Sequence, residues 1–446
     1  MQQVKGKRRE GGTFFKGAAW IAVGGFLSKL IGALYRIPLT NFIGGYGMGL
    51  YQLVYPLYTL LLTVSATGIP SAISKLTAER VGAGLPLRPF MRTCLRLFAY
   101  IGGAGTVLMS ALALPLSLAQ GAPEALGGYL TLAPSVLLVS VLSVFRGYMQ
   151  GKNDMFPTAA SEILEQVVKV GIGLPFAYLF RGEPVRAVTL LLLAVTVAEG
   201  AALLFTWLYA KKKHPCLLLE TSQKVKAGHI LKTSLPVTAS AALLPLSGLI
   251  DSVLIVRLLL THTEEAVGLY GLFTGGAVTL VNLPVSVCYG LAAASVPAVA
   301  TAKTPEEKRK KMRFALLSTL AVSLPCAVGL FVLAGTAQRL IFPSLGTREG
   351  RILVDLVRIF SVSAVTLSCT QTLSACLTAS GKPLYATLSM GIAVAVKTLL
   401  NCFLVGNPRL SVYGAAIATN IGYTVAFLLD LYYNIKVTKS RKTKDG

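Results

Sequence analysis

Charged residues make up only 13% of this 446-residue chain, where soluble domains carry about a quarter. Acid is scarcest, with 18 Asp and Glu against 42 Lys and Arg, and there are three histidines. That deficit excludes an ordinary cytosolic enzyme. The seven cysteines show no C-x-x-C spacing and read as small apolar residues, neither disulfides nor metal ligands. His214, His229 and His262 fall in or near loops, so no metal site is expected, and no cofactor. There is no Walker sequence and no nucleophile elbow, so an ATP-driven pump is unsupported and no catalytic residue is assigned. Glycine at 43 and proline at 21 are not excessive, which sets aside disordered and fibrous chains.

What the chain has in quantity is hydrophobic residues, 54% of the total, in long blocks broken by short basic stretches. A transmembrane helix needs about 20 apolar residues. Twelve stretches qualify, at 14–36, 46–74, 92–118, 127–149, 156–180, 186–210, 231–257, 266–299, 313–336, 352–379, 384–405 and 411–435. The expected fold is therefore an all-α polytopic membrane protein. The net charge of +24 would suggest nucleic acid in a soluble protein. Here the basic clusters fall in alternate loops, as positive charge does on the cytoplasmic side of membranes, so no nucleic-acid partner is expected. The N-terminus lacks a small-residue cleavage site and is expected to be retained. Both termini and the Lys211 to Lys232 segment are assigned to the cytoplasm, while Asn41 to Gly47 and Gln120 to Ala125, with no basic residue, lie outside.

The basic segment divides the spans six and six. Gly49-Leu50-Tyr51 recurs as Gly268-Leu269-Tyr270, 219 residues later; Gly151-Lys152 recurs as Gly381-Lys382, and Val168-Lys169 as Val396-Lys397. Six spans return the chain to its starting side, so the halves would be parallel repeats about an axis along the membrane normal, a transporter plan. The expected organisation is a basic N-terminus (1–13), a six-helix bundle (14–210), a basic linker (211–230), a second six-helix bundle (231–435) and a basic tail (436–446). Span two holds Gly68-Ile69-Pro70 and span eight Pro284 and Pro297, the candidate hinges.

A charge at the bilayer centre costs at least about 2.5–3.5 kcal/mol, so ionisable residues within spans need partners or a wet cavity. Lys29 and Arg36 in span one are seven apart, on one face with Gly25 and Gly32, where an anionic group could approach closely; the alternative for Arg36 is snorkelling to the interface. Span five holds Glu162, Glu165 and Lys169, with Gln166 beside them. Glu165 and Lys169 have the order of an i, i+4 ion pair, and a substrate or proton role stands beside that reading. Span eleven places Lys397 one turn before Asn401, and span seven carries Asp251. Asp251 would bind a coupling cation, or pair with Lys29, Arg36 or Lys397. Glu199, Asp355, Arg358 and Asp430 receive no role.

The run Phe26-Leu27-Ser28-Lys29-Leu30-Ile31-Gly32, then Tyr35-Arg36-Ile37-Pro38-Leu39, Gly49-Leu50-Tyr51-Gln52, Tyr55-Pro56-Leu57-Tyr58 and Gly68-Ile69-Pro70-Ser71 resembles the stage V sporulation protein B and polysaccharide biosynthesis family. That family belongs to the multidrug/oligosaccharidyl-lipid/polysaccharide exporter superfamily. The likeness continues through Glu165-Gln166-Val167-Val168-Lys169, Ile250-Asp251-Ser252 and Val396-Lys397-Thr398-Leu399-Leu400-Asn401. It implies two six-helix bundles around a central cavity, alternating access, and a flippase for an undecaprenyl-diphosphate-linked cell-wall or polysaccharide precursor in the cytoplasmic membrane, in the setting of spore cortex or peptidoglycan synthesis. Lys29 and Arg36 would meet phosphate, with Lys169 and Lys397 as further cationic contacts. Glu162, Glu165, Asp251 and Asn401 would pair with them or couple to sodium ions, protons or the membrane potential. Partners would be the lipid-linked saccharide, membrane lipids and cell-wall synthesis proteins. The related lipid II flippases carry an arginine late in helix two where this chain has Thr63 and Ser65. The alternatives are a cation-coupled multidrug exporter of the same fold and a non-transporting scaffold for cell-wall synthases.

Overall fold

In the computed structural model the backbone is described for residues 2–67, 69–213, 241–302 and 304–439, and side chains from residue 24 onward within these, except 26, 29, 67, 294, 305 and 439. Among the described residues there is no strand. Long apolar segments close their backbone hydrogen bonds internally, the solution lipid demands. The helices are α1 (Gln2–Leu62), α2 (Ile69–Gly82), α3 (Arg88–Ala119), α4 (Leu126–Leu132), α5 (Pro134–Gly151), α6 (Phe156–Leu179), α7 (Pro184–Lys213), α8 (Leu243–Leu260), α9 (Ala266–Gly271), α10 (Val278–Ala300), α11 (Pro305–Ile341), α12 (Thr347–Phe360), α13 (Val362–Ala379), α14 (Pro383–Leu404) and α15 (Val412–Lys439).

Nine described helical stretches are long and apolar enough to cross a membrane, ten if α12 and α13, bent by 42° at their junction, form one span. Twelve spans are expected from the sequence, and the described stretches do not confirm that count. The stretch Leu30–Gly82 counts once although it contains the end of the expected first span and all of the second. Helix α6 is not among the nine, and Glu162, Glu165 and Lys169 lower its hydropathy. The outward faces are apolar, as lipid requires: Phe314 on α11 is 73% exposed and Phe403 on α14 75%.

Helix α1 is two helices joined at Gly44, whose φ of +68° is open to glycine without strain. Of the expected hinges, Gly68 lies outside the described residues. A π-helical stretch, Thr63–Thr67, precedes it, and Ile69 and Pro70 open α2. Pro284 and Pro297 sit inside α10, which stays α-helical through both; the irregular stretch is the π-helix Leu272–Ala277 just before it. Such π segments widen the ladder by one residue and are a recognised cause of bending.

Contacts group the chain into two compact units. The first contains Met1–Gly32, Val54–Leu118 and Pro123–Leu246; the second contains Ala33–Leu53, Ala119–Ala122 and Ser247–Gly446. The sequence reading instead has all of 14–210 in one bundle. In the first unit α6 packs along α7, α2 on α5, and α5 on α7. Ile73, Phe90, Phe98, Val144, Tyr148 and Met149 form its buried cluster. In the second, α14 packs on α15, and α10 and α15 on α13.

Glycine explains why Ala33–Leu53 belongs with the second unit. A Cβ on Gly49 would stand 2.0 Å from the carbonyl oxygen of Val267, and one on Gly271 would stand 2.1 Å from that of Gly45. The backbones touch, in the manner of small-residue crossings in membranes, and Gln52 Nε2 donates to the Thr274 carbonyl at 3.2 Å. The duplicated Gly-Leu-Tyr segments meet at this crossing. Gly49→Ala is expected to destabilise the protein by about 1–3 kcal/mol, as overpacking does, read as a lower melting temperature in detergent. Gly103→Ala, where nothing lies within 4 Å, is the control. Equal melting of the two variants would refute a rigid crossing.

Candidate functional site

In the first unit the polar face of α6 meets the glycines of α1. A Cβ on Gly24 would lie 2.7 Å from that of Ala159; on Gly25, 3.8 Å from Glu162 Oε2; on Gly32, 3.2 Å from Gln166 Oε1 and 4.0 Å from Lys169 Nζ. The glycines of the stripe therefore admit an ionisable helix face at close range. Lys29 lies between them in sequence, and its side chain falls outside the described residues.

Glu165 is held from α5. Arg146 Nη2 stands 3.5 Å from Glu165 Oε2, and Arg146 Nε donates to Ser161 Oγ at 2.9 Å. Gln166 Nε2 donates to the other carboxylate oxygen of Glu165 at 3.3 Å. The sequence reading offers Lys169 as the partner of Glu165 and assigns Arg146 to a cytoplasmic turn; Arg146 instead lies within α5, which runs on to Gly151. Glu199 on α7 was also missed. It is 4% exposed, accepts a hydrogen bond from Tyr58 Oη at 3.3 Å through one oxygen, and has no partner for the other among the described residues. Arg146, Glu165 and Lys169 are all within electrostatic reach of it. First-unit groups from four expected helices, two, four, five and six, thus converge on one polar cluster. A glutamate inside an apolar helix is itself the signal that could have found it.

The second unit holds the other set. Lys397 Nζ on α14 donates to Asp251 Oδ2 on α8 at 2.5 Å and to Ser247 Oγ at 2.7 Å. Asn401 Nδ2 donates to Asp251 Oδ1 at 3.2 Å. Asp251 therefore pairs with Lys397, one of the partners expected for it. Gly422 on α15 lets the stem of Lys397 pack closely, since a Cβ there would stand 3.1 Å from the lysine Cβ. Arg36, half-buried in the segment grouped with this unit, has no side-chain partner among the described residues. Asp430 on α15 is fully buried and accepts from Ser374 Oγ at 2.5 Å. Sequence reasoning gave it no role.

Among the described residues no group of three or more His, Cys, Asp or Glu could hold a metal ion. Helices with apolar outer faces and ionisable residues buried between them define a multi-pass membrane protein. Comparison with known proteins agrees. The profile of the family described as "Polysaccharide biosynthesis protein" matches residues 14–303. Stage V sporulation protein B of Bacillus subtilis (strain 168) is 28% identical over 439 residues, covering 94% of this chain and 82% of the relative. Lipid II flippase MurJ of the same organism is 24% identical over 447 residues, covering 93% and 81%. Among solved structures, an inward-facing multidrug resistance MATE family transporter of the MOP superfamily superposes with a TM-score of 0.80 at 17% identity, covering 94% of this chain and 96% of the other. This chain belongs to the polysaccharide biosynthesis protein family.

Proposed function

We propose that the protein is a flippase that carries an undecaprenyl-diphosphate-linked cell-wall or polysaccharide precursor across the cytoplasmic membrane by alternating access, with both termini cytoplasmic. The observation that carries this reading is the glycine stripe of α1 laid against the ionisable face of α6. It sets ionisable groups at close range to a cation-bearing helix inside an apolar bundle, kept despite the cost of every charge in it. Lys29 and Arg36 donate to the diphosphate, and Lys169 and Lys397 serve as further cations. Glu162, Glu165, Asp251 and Asn401 hold those cations when substrate is absent. Coupling is to sodium ions, protons or the membrane potential. The names of two relatives, a lipid II flippase and a sporulation protein, support the substrate class. A multidrug exporter that takes cationic drugs would be expected to carry a carboxylate on its first span, and residues 14–43 contain none.

The test uses purified protein in vesicles offered lipid II and a panel of lipid-linked oligosaccharides. Lys29→Ala and Arg36→Ala should each abolish translocation while leaving membrane insertion intact, since removing a cation eases insertion. Arg36→Lys should restore only part, because a point charge cannot reproduce a bidentate fork on phosphate. Wild-type transport in both alanine variants would return these residues to interfacial snorkelling. Export of cationic drugs in place of lipid-linked saccharides would establish the rival, and a chain that moves neither would be a scaffold.

A further inference from the structure

The second unit contains a cavity of about 600 Å³ at the junction of α11 and α12, lined by Gln338, Arg339, Arg351, Asp355 and Arg358. Arg351, Asp355 and Arg358 are spaced i, i+4, i+7 and so share one face of α12. Gly350 brings that helix against α11, for a Cβ there would stand 2.8 Å from Gln338 Nε2. None of the side chains of Arg351, Asp355 and Arg358 makes a hydrogen bond or ion pair among the described residues, and Arg339 Nε reaches only the Gly335 carbonyl of its own helix, at 3.3 Å.

These arginines run against the charge bias of the rest of the chain. In the expected orientation the α11–α12 junction lies outside, where basic residues are sparse, yet it carries Arg339, Arg348, Arg351 and Arg358 and no lysine. The cytoplasmic stretch 303–313 is mostly lysine: Lys303, Lys308, Lys310 and Lys311 beside Arg309 and Arg313. Arg348 is accounted for by Glu265, 2.7 Å away. Three guanidiniums are left around one cavity, and arginine is the cation whose planar fork matches phosphate bidentately. Next to them Leu340 is 76% exposed and Val362 52%, an apolar margin that suits an acyl or isoprenoid chain.

We infer that the α11–α12 cavity is a binding site for a phosphate group carried on a lipid, with Arg351 and Arg358 as the principal donors, Arg339 at its edge, and Asp355 limiting its affinity. The phosphate belongs to a membrane phospholipid headgroup or to the diphosphate of an isoprenoid-linked saccharide. The site is separate from the α1–α6 surface, and because binding is measured without transport, its failure would leave the flippase reading standing.

The experiment takes the full chain in nanodiscs of phosphatidylcholine with or without phosphatidylglycerol, counts retained lipids by native mass spectrometry, and titrates inorganic diphosphate by calorimetry. Wild-type protein should retain phosphatidylglycerol over phosphatidylcholine, with inorganic diphosphate competing. The double variant R351Q/R358Q should lose that preference by about tenfold or more, the loss expected for charge-assisted hydrogen bonds. Asp355→Asn should bind more tightly than wild type, a gain that misfolding does not produce. Diphosphate binding that depends on the arginines, with no phosphatidylglycerol preference, would support the site and assign it to a diphosphate carrier. Equal lipid retention and equal diphosphate binding in wild type and the double variant would overturn the proposal and leave the arginines as hydrated interfacial residues.

Discussion

Replacing Lys397 by alanine should destabilise the protein by about 3–5 kcal/mol, the cost of removing one partner of a buried ion pair, and should impair transport by at least about tenfold. The lysine gives two of its three donors to Asp251 and Ser247, and its side chain is 11% exposed against 16% for Asp251. Lys397→Ala leaves a carboxylate inside the bundle whose only other side-chain donor among the described residues is the Asn401 amide at 3.2 Å. Asp251→Asn in the same chain removes that uncompensated charge and should recover part of the loss. A double-mutant cycle on initial rates decides the coupling: strict additivity would mean that the two residues act separately. Melting temperature separates function from architecture. Buried ion pairs are often replaced by packed apolar residues at no loss of stability, so Lys397→Met with Asp251→Leu should melt at or above wild type. If that variant also transports normally, the pair is structural and has no part in the cycle.

That pair was legible in the sequence and the Glu165 pair was not, for a physical reason. Acids are so few, 18 in the chain, that a lysine in the middle of an apolar span has few carboxylates to choose from, and lipid requires it to choose one. Glu165 had a lysine one turn away on its own helix, and local spacing could not reveal Arg146, 19 residues earlier on α5. Arg146 itself was hidden by Gly147, Gly151 and Lys152, a composition that reads as a turn but that α5 accommodates in its last turns. Hydropathy likewise fixed spans only where residues are apolar. It ends span two at 74, whereas α2 continues through Lys75, Glu79 and Arg80 to Gly82. It begins span nine at 313, whereas α11 starts at Pro305, capped by Thr304 accepting from the Glu307 amide at 3.1 Å. Charged extensions stay helical beyond the hydrocarbon, where hydropathy has nothing to register. The π-helical stretches left no trace in the pattern, while the duplicated Gly-Leu-Tyr was visible in sequence and only the structure reveals that its copies cross.

Arg146→Ala should prove as damaging as Lys397→Ala, though by a different route. Arg146 and Glu165 are 13% and 20% exposed, and the guanidinium divides its donors between Glu165 and Ser161. Glu199, buried on α7 with one oxygen lacking any partner among the described residues, is the second carboxyl group of this cluster. Taking the guanidinium away therefore strands Glu165, and rescue variants decide whether Glu199 is stranded with it. The expected result is a fall in melting temperature, on the scale of about 3–5 kcal/mol for breaking a buried pair, together with loss of transport. Arg146→Lys should recover only part, because an ammonium cannot serve Ser161 and Glu165 through the two arms of a fork. The second carboxylate gives the discriminating variant. If Glu165 alone is stranded, Glu165→Gln should rescue Arg146→Ala almost fully; if Glu199 is stranded too, Glu165→Gln should rescue about half of the lost melting temperature and Glu199→Gln must be added for the rest. Full rescue by Glu165→Gln alone would detach Glu199 from the network and leave it a structural acid bonded to Tyr58. A stepwise rescue would make α5, α6 and α7 one electrostatic unit, the condition under which a proton or cation taken up at one carboxylate can be felt at the glycine-lined face of α1.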